Sequence, residues 1–279
     1  MTACASVPAR QTDAADLFVE VNGILLRYRD AGTGPAVLLV HGWTLDLEMW
    51  DLQVRALRDT FRMIRLDRRG HGLSAGIANP QRDGADLAAL CEHLRLTPVA
   101  LIGMSQGVRG VLEFAGAAPR GVRALILDGP PPLDATAESE VPLERYAALA
   151  RTQGIDAFRS EWSRHALMQL CTQDAEPHAR LAAMIARYPG NDLMDPSFPA
   201  ELAGEHLRLE SLRIPALVLS GEHDLPGRRQ AAQQLAARLP DAELAVIPGA
   251  GHLPNLDSPD AYSKICRGFL TRHCPGNTS

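Results

Sequence analysis

Ser105 stands between two glycines, in the stretch Gly103-Met104-Ser105-Gln106-Gly107. An apolar run, Val99 to Ile102, stops at Gly103, and Val108, Leu112 and Phe114 mark a helix that ends before Pro119. A hydroxyl at the tip of a buried strand has two readings here. It can cap the helix that follows. It can also be pushed up on a sharp strand-to-helix turn as a nucleophile, with the glycines leaving room for the neighbouring strand and helix. A serine hydroxyl is a weak nucleophile at neutral pH and needs a base within hydrogen-bond reach. His252, in "IPGAGHLPNL", is the candidate base, because an imidazole titrates near neutrality without special help. His223 and His71 are its rivals. The base in turn needs a carboxylate on its other nitrogen to hold one tautomer. Asp224 and Asp128 are the candidates for that carboxylate.

Those residues matter only if the fold gathers them. Leu17–Val21 and Ile24–Arg29, joined by Asn22-Gly23, read as a hairpin. "AVLLVHG", "FRMIRLD", "PVALIG" and "VRALILDG" read as strands, with helical spacing at Met49–Leu57, at Asp83–Leu94 and at Gln106–Ala118 between them. From Leu133 to about Leu212 the alternation stops, and the pattern is helical throughout. It returns with "IPALVLSGEHD", a helix at Arg228–Leu239, the strand "AELAVIPG" and a helix near Ala261–Phe269. Alternating strands and helices predict an α/β fold with a mostly parallel, eight-stranded sheet flanked by helices. The helical insert is long enough to be a cap. The expected organisation is a flexible segment at 1–16, a core at 17–132 and 213–273, and a helical cap at 133–212. In such a sheet, functional side chains gather at the carboxyl ends of strands. Ser105, Asp128, Asp224 and His252 all follow strands, in the order serine, aspartate, histidine.

Composition excludes several other functions. The chain has 279 residues and a formal net charge of −5, a balance that does not point to nucleic acid. The arginines Arg65, Arg68 and Arg69, interrupted by Asp67, read as part of a loop. Five cysteines (Cys4, Cys91, Cys171, Cys266 and Cys274) contain no C-x-x-C pair and read as reduced thiols. Neither an apolar leader nor a bilayer-spanning run is visible, so a cytoplasmic protein without membrane partners is expected. No metal-ligand spacing, phosphate loop or dinucleotide fingerprint occurs, and no cofactor is expected. The expected partner is a small-molecule substrate; a homo-oligomer is left open.

Five pieces in order, "HGW", "DRRGHGLS", "GMSQG", "GEHD" and "GAGHLPNL", make the chain resemble the α/β-hydrolase superfamily from about Leu17 to Phe269. Within it the chain is similar to the small capped esterases, enol-lactonases and carbon–carbon bond hydrolases. The resemblance implies a triad of Ser105, Asp224 and His252, with Asp128 as the rival acid from the strand before the insert. It implies that the oxyanion is held by the backbone N–H groups of Gln106, at the elbow, and Trp43, after the third strand. His71 falls in the "D-x-R-G-x-G-x-S" turn, where packing and loop shape are its expected role. Val108 departs from the small residue many members carry there, with Gly110 two places later; the departure touches helix packing and no reacting group. Trp162, Met168, Leu167 and Tyr146 of the insert are candidates to line an apolar pocket. Arg159, Arg164 and His165 are candidates to meet an anionic substrate, or simply a solvated face. The implied activity is hydrolysis of small carboxylic esters or lactones through an acyl-enzyme. The alternatives are carbon–carbon cleavage of a dioxo acid from aromatic-ring breakdown, and a catalytically weak small-molecule-binding protein.

Overall fold

The computed structural model describes residues 15–132, 140–195 and 207–276. Cys4, most of the expected flexible N-terminal segment, and residues 133–139 and 196–206 of the expected cap lie outside the described residues. The strands are β1 (Leu17–Val21), β2 (Ile24–Ala31), β3 (Ala36–Val40), β4 (Arg62–Leu66), β5 (Val99–Met104), β6 (Val122–Asp128), β7 (Ala216–Gly221) and β8 (Ala242–Ile247). They form one sheet in the order β1-β2-β4-β3-β5-β6-β7-β8. Its first two pairings are antiparallel and the rest are parallel. The hairpin turn has positive φ at both central residues, 46° at Asn22 and 76° at Gly23, which matches the right-handed twist of the strands it joins.

The helices are α1 (Asp51–Leu57), α2 (Pro80–Leu94), α3 (Gly107–Ala117), α4 (Leu143–Gln153), α5 (Ile155–Trp162), α6 (Ala175–Arg187), α7 (Asn191–Met194), α8 (Pro226–Arg238), α9 (Pro254–Asp257) and α10 (Pro259–His273). The central strands are apolar on both faces because both faces are covered. Val37 and Leu39 of β3 pack into one apolar cluster with Val54 and Leu57 of α1 and Tyr262 and Phe269 of α10. Leu38 and Val40, one residue out of phase, pack into the other with Leu87 and Leu90 of α2, Val111 of α3 and Leu235 of α8. Val108 is fully buried in that second cluster. The small residue needed for close helix approach is Gly110, where a Cβ would lie 2.6 Å from the Asp83 Cβ of α2.

Some local expectations change. The helix read as Met49–Leu57 is a 3-10 turn, Leu47–Trp50, running into α1. Asp46 starts that turn by accepting a hydrogen bond from the Glu48 N–H at 2.9 Å. The arginines read as a loop are buried and paired. Arg65 lies in β4 and bonds Asp51; Arg68 Nε donates to Asp83 at 2.9 Å, and Arg69 Nε donates to Asp86 at 2.8 Å. Charge burial of this kind needs a partner for each ion, since removing one member of a buried pair costs about 3–5 kcal/mol. Cys91, Cys266 and Cys274 are buried free thiols, and Cys171 is an exposed one. Among the described residues no helix is long and apolar enough to cross a membrane.

Candidate active site

β5 ends directly beneath Ser105, and the turn into α3 is tight. A Cβ on Gly103 would lie 2.9 Å from the Gly107 carbonyl oxygen and from Val111 Cγ2. One on Gly107 would lie 2.6 Å from the His41 carbonyl oxygen. Both are closer than real Cβ contacts, so glycine is required at each. Ser105 itself has φ of 50°, a left-handed conformation that costs a non-glycine residue about 1–3 kcal/mol and recurs where geometry serves function. Its N–H donates to the Asp128 carbonyl oxygen at 2.8 Å, tying the turn to the end of β6.

His252 follows β8 and is buried. The Ser105 hydroxyl donates to its Nε2 at 3.2 Å. Its Nδ1–H donates to Asp224, 2.9 Å from Oδ2 and 3.1 Å from Oδ1. Asp224 is fixed in turn by the Leu225 N–H, 2.7 Å from Oδ1. One tautomer of the imidazole satisfies both partners, with the proton on Nδ1 and the lone pair of Nε2 facing the hydroxyl. The chain thus lines up carboxylate, imidazole and hydroxyl from the ends of β7, β8 and β5.

Asp128, the rival carboxylate, ends β6 with no exposed surface and no hydrogen-bond partner for either oxygen. Burial pushes its carboxyl well above the ordinary range. The charge of Asp224 pushes it further, and the Tyr262 hydroxyl offsets part of the rise. Above the ordinary carboxylate value of about 3.9, folding must therefore take up a proton here. The associated stability is complete at low pH and is lost as pH rises towards the folded-state value, at about 1.4 kcal/mol per pH unit. Asp128→Asn should accordingly raise the melting temperature, and by more at pH 8 than at pH 5. Thermal melts of both proteins at the two pH values check this; a gain independent of pH would contradict it.

Trp43 and Thr44 form the turn after β3. A Cβ placed on the preceding Gly42 would lie 3.3 Å from Ser105 Cβ, so the turn runs beside the serine. Among the described residues, neither the Trp43 nor the Gln106 backbone N–H donates to another protein group. The Gln106 side chain is not turned loose into solvent: its Oε1 accepts from Arg68 Nη2 at 2.9 Å. Beneath the turn, His41 is kept neutral by burial and by His71 and Arg68, accepting the Arg68 N–H at Nε2, 2.8 Å away. Burial, then Arg68, pull His71 down to about 3; its ring packs edge-on against His41 and tilted against Tyr188. His71 thus packs within this turn, its Nδ1 bonded to the Arg69 carbonyl. His223 lies next to Asp224 in sequence but does not take its place in the relay.

The helices between β6 and β7 pack over this end of the sheet. Phe158, Trp162 and Tyr188 lie around Trp43, with ring centroids 5.6, 5.0 and 6.0 Å away. Tyr146 packs on Phe158 and Trp162, and Met168 and Leu167 belong to the same apolar cluster. The candidate cations of this segment are occupied. Arg159 donates to the Tyr188 carbonyl and to Asp156, Arg164 to the Ser160 carbonyl, and His165 stacks on Trp162. Asp257 directly follows the "GAGHLPNL" stretch. Its Oδ2 accepts from the Gly251 N–H at 2.7 Å, and its Oδ1 from the Cys171 and Thr172 N–H groups at 2.6 and 3.1 Å. One carboxylate thus joins the histidine loop to the helical segment.

A family model described as alpha/beta hydrolase fold matches residues 35–259. The chain belongs to that family. A Bacillus subtilis relative, provisionally named a 2-succinyl-6-hydroxy-2,4-cyclohexadiene-1-carboxylate synthase, is 30% identical over 266 residues, covering 88% of this chain and 95% of its own. A thermophilic esterase from Thermogutta terrifontis, solved with malate bound, superposes with a TM-score of 0.81 at 30% identity, covering 94% of this chain and 100% of its own. The enol-lactonase from Burkholderia xenovorans LB400 superposes at 0.76 with 27% identity, covering 91% of this chain and 100% of its own. This α/β-hydrolase is therefore an enzyme of a hydrolase family, with the mostly parallel, eight-stranded sheet expected from the sequence.

Proposed function

We propose that this α/β-hydrolase cleaves small carboxylic esters or lactones through an acyl-enzyme on Ser105. The observation that carries the reading is the relay from Asp224 through His252 to the Ser105 hydroxyl, with both bonds within 3.2 Å. His252 takes the hydroxyl proton as Ser105 Oγ attacks the acyl carbon. The developing oxyanion is held by the Trp43 and Gln106 backbone N–H groups, in the kind of pre-aligned donor pair that contributes most in acyl transfer. The resulting imidazolium gives its proton to the leaving alkoxide, and Asp224 stabilises its charge throughout. A water molecule, deprotonated by His252, then attacks the acyl carbon, and the second tetrahedral species collapses to release the acid and restore Ser105. In a lactone, the leaving alkoxide and the acid are two ends of one product.

The core units at 17–132 and 213–273 carry the relay, and the segment 133–212 is read as a cap that selects the substrate. The aromatic groups around Trp43 favour an acyl or alkoxy group of apolar character. The similarity to an esterase and to an enol-lactonase supports both substrate classes. The test is side-by-side turnover of p-nitrophenyl acetate and butyrate, simple lactones and a dioxo acid, with Ser105→Ala as control. Ester or lactone turnover that is lost in the variant is the expected result. Turnover of the dioxo acid alone, or equal turnover by the variant, would reject it.

A further inference from the structure

The turn that carries Trp43 is strained and is held from outside. Thr44 has φ of 63°, and a β-branched residue in that region is a true outlier that persists only when its surroundings impose it. The imposing contact comes from the helices between β6 and β7: Trp162 Nε1–H donates to Thr44 Oγ1 at 2.7 Å, with both residues buried. Trp43 is gripped by the same segment. Its Nε1–H donates both to Tyr188 Oη and to Asp192 Oδ2, each at 2.9 Å, and the Tyr188 hydroxyl donates to Asp192 Oδ1. Farther along the same loop, Arg187 Nη2 reaches Asp46 Oδ2 and Glu48 Oε2, each at 2.7 Å. Bonds from Trp162 of α5, Tyr188 just after α6 and Asp192 of α7 thus fix both residues of the turn after β3.

We propose that Trp162, Tyr188 and Asp192 are positioning residues for the oxyanion: their hydrogen bonds hold the Trp43–Thr44 turn in its left-handed form and so aim the Trp43 N–H at the acyl oxygen. The inference rests on the reading of the Trp43 and Gln106 amides as oxyanion donors. Its chemical content is separate from that reading. The helical segment completes the catalytic geometry as well as covering it, so the donor pair is correct only while that segment is seated. Relaxation of Thr44 towards negative φ would rotate the peptide between Trp43 and Thr44 and swing the preceding amide with it. The Ser105–His252–Asp224 relay, built from other strand ends, would be untouched.

The experiment compares Trp162→Phe, Thr44→Val, the double variant and Thr44→Ser. Phenylalanine keeps one aromatic ring but removes the indole N–H together with part of the ring's volume; valine keeps the shape and removes the acceptor; serine keeps the acceptor. Three readouts are needed: kcat and KM on p-nitrophenyl acetate, the affinity of a trifluoromethyl ketone that forms a tetrahedral oxyanion adduct, and the rate of phosphonate labelling at Ser105 in the wild type. Each single loss of the bond should lower kcat about tenfold to a hundredfold with KM little changed, the scale of a misplaced donor. Ketone affinity should fall in parallel. The double variant should be no worse than the weaker single, because one bond can be lost only once, and Thr44→Ser should retain most activity. Should Trp162→Phe fail to fold, Thr44→Val tests the same bond from its other end. Additive losses, or a lower melting temperature with kcat and ketone affinity unchanged, would overturn the positioning role. Absence of wild-type labelling at Ser105 would instead reject the acyl-enzyme reading on which it rests.

Discussion

Ser105→Ala should lower ester hydrolysis about 10⁶-fold in kcat, the scale seen when the nucleophile of a serine triad is removed. The hydroxyl has one side-chain partner, His252 Nε2, and the turn around it is held by backbone bonds and by the two flanking glycines. Alanine meets the same strain at φ of 50° and needs no additional space. Circular dichroism and the melting temperature should therefore change little while turnover disappears. Wild-type turnover in a pure variant would remove Ser105 from the chemistry.

The second large effect separates the two aspartates. Asp224→Asn should lower kcat about 10⁴-fold, because an amide beside Nδ1 can hold the imidazole in the tautomer that presents N–H, and no lone pair, to the serine. Asp128→Asn should cost less than about tenfold, a value set by the absence of any hydrogen bond from Asp128 to the imidazole. Its neutral carboxyl is closely matched by an amide in shape and charge. Kinetics of both variants at one pH check the ranking, and a thermal melt of each variant shows that it is folded. A collapse of activity in Asp128→Asn with an active Asp224→Asn would transfer the acid to β6.

The turn at Ser105 was legible because its requirements are local. Two glycines, a serine and the switch from an apolar run to helical spacing lie within a few residues, and the steric reason for each glycine appears directly in the structure. The Asn22-Gly23 hairpin and the doubly apolar β3 and β5 were readable for the same reason. Arg65, Arg68 and Arg69 were not. Their partners Asp51, Asp83 and Asp86 are 14 to 17 residues away, and local composition carries no record of burial. The grip on the oxyanion turn was still less visible. Trp162 meets Thr44 across 118 residues and Asp192 meets Trp43 across 149, so only the packed fold brings donor and acceptor together. Trp162 was singled out as an apolar candidate, but its polar edge could be assigned only once a partner was present. Asp257 illustrates the intermediate case: it lies next to the motif, six residues from the Gly251 N–H, but its other partner, the Cys171 N–H, is 86 residues away. Element ends were less legible, as where α10, expected near Ala261–Phe269, begins at Pro259 and runs on to His273.

The most direct test of the serine mechanism is covalent labelling of the wild-type enzyme by a fluorophosphonate, followed by intact-mass and peptide mass spectrometry. The phosphorus is attacked by the activated hydroxyl, fluoride leaves, and the adduct mimics the tetrahedral species whose oxygen the Trp43 and Gln106 amides would hold. The account predicts one adduct per chain, located on Ser105, formed in step with loss of ester turnover and strongly slowed in Asp224→Asn. Full loss of turnover with the label on another residue, or full turnover by a chain labelled stoichiometrically on Ser105, would contradict it.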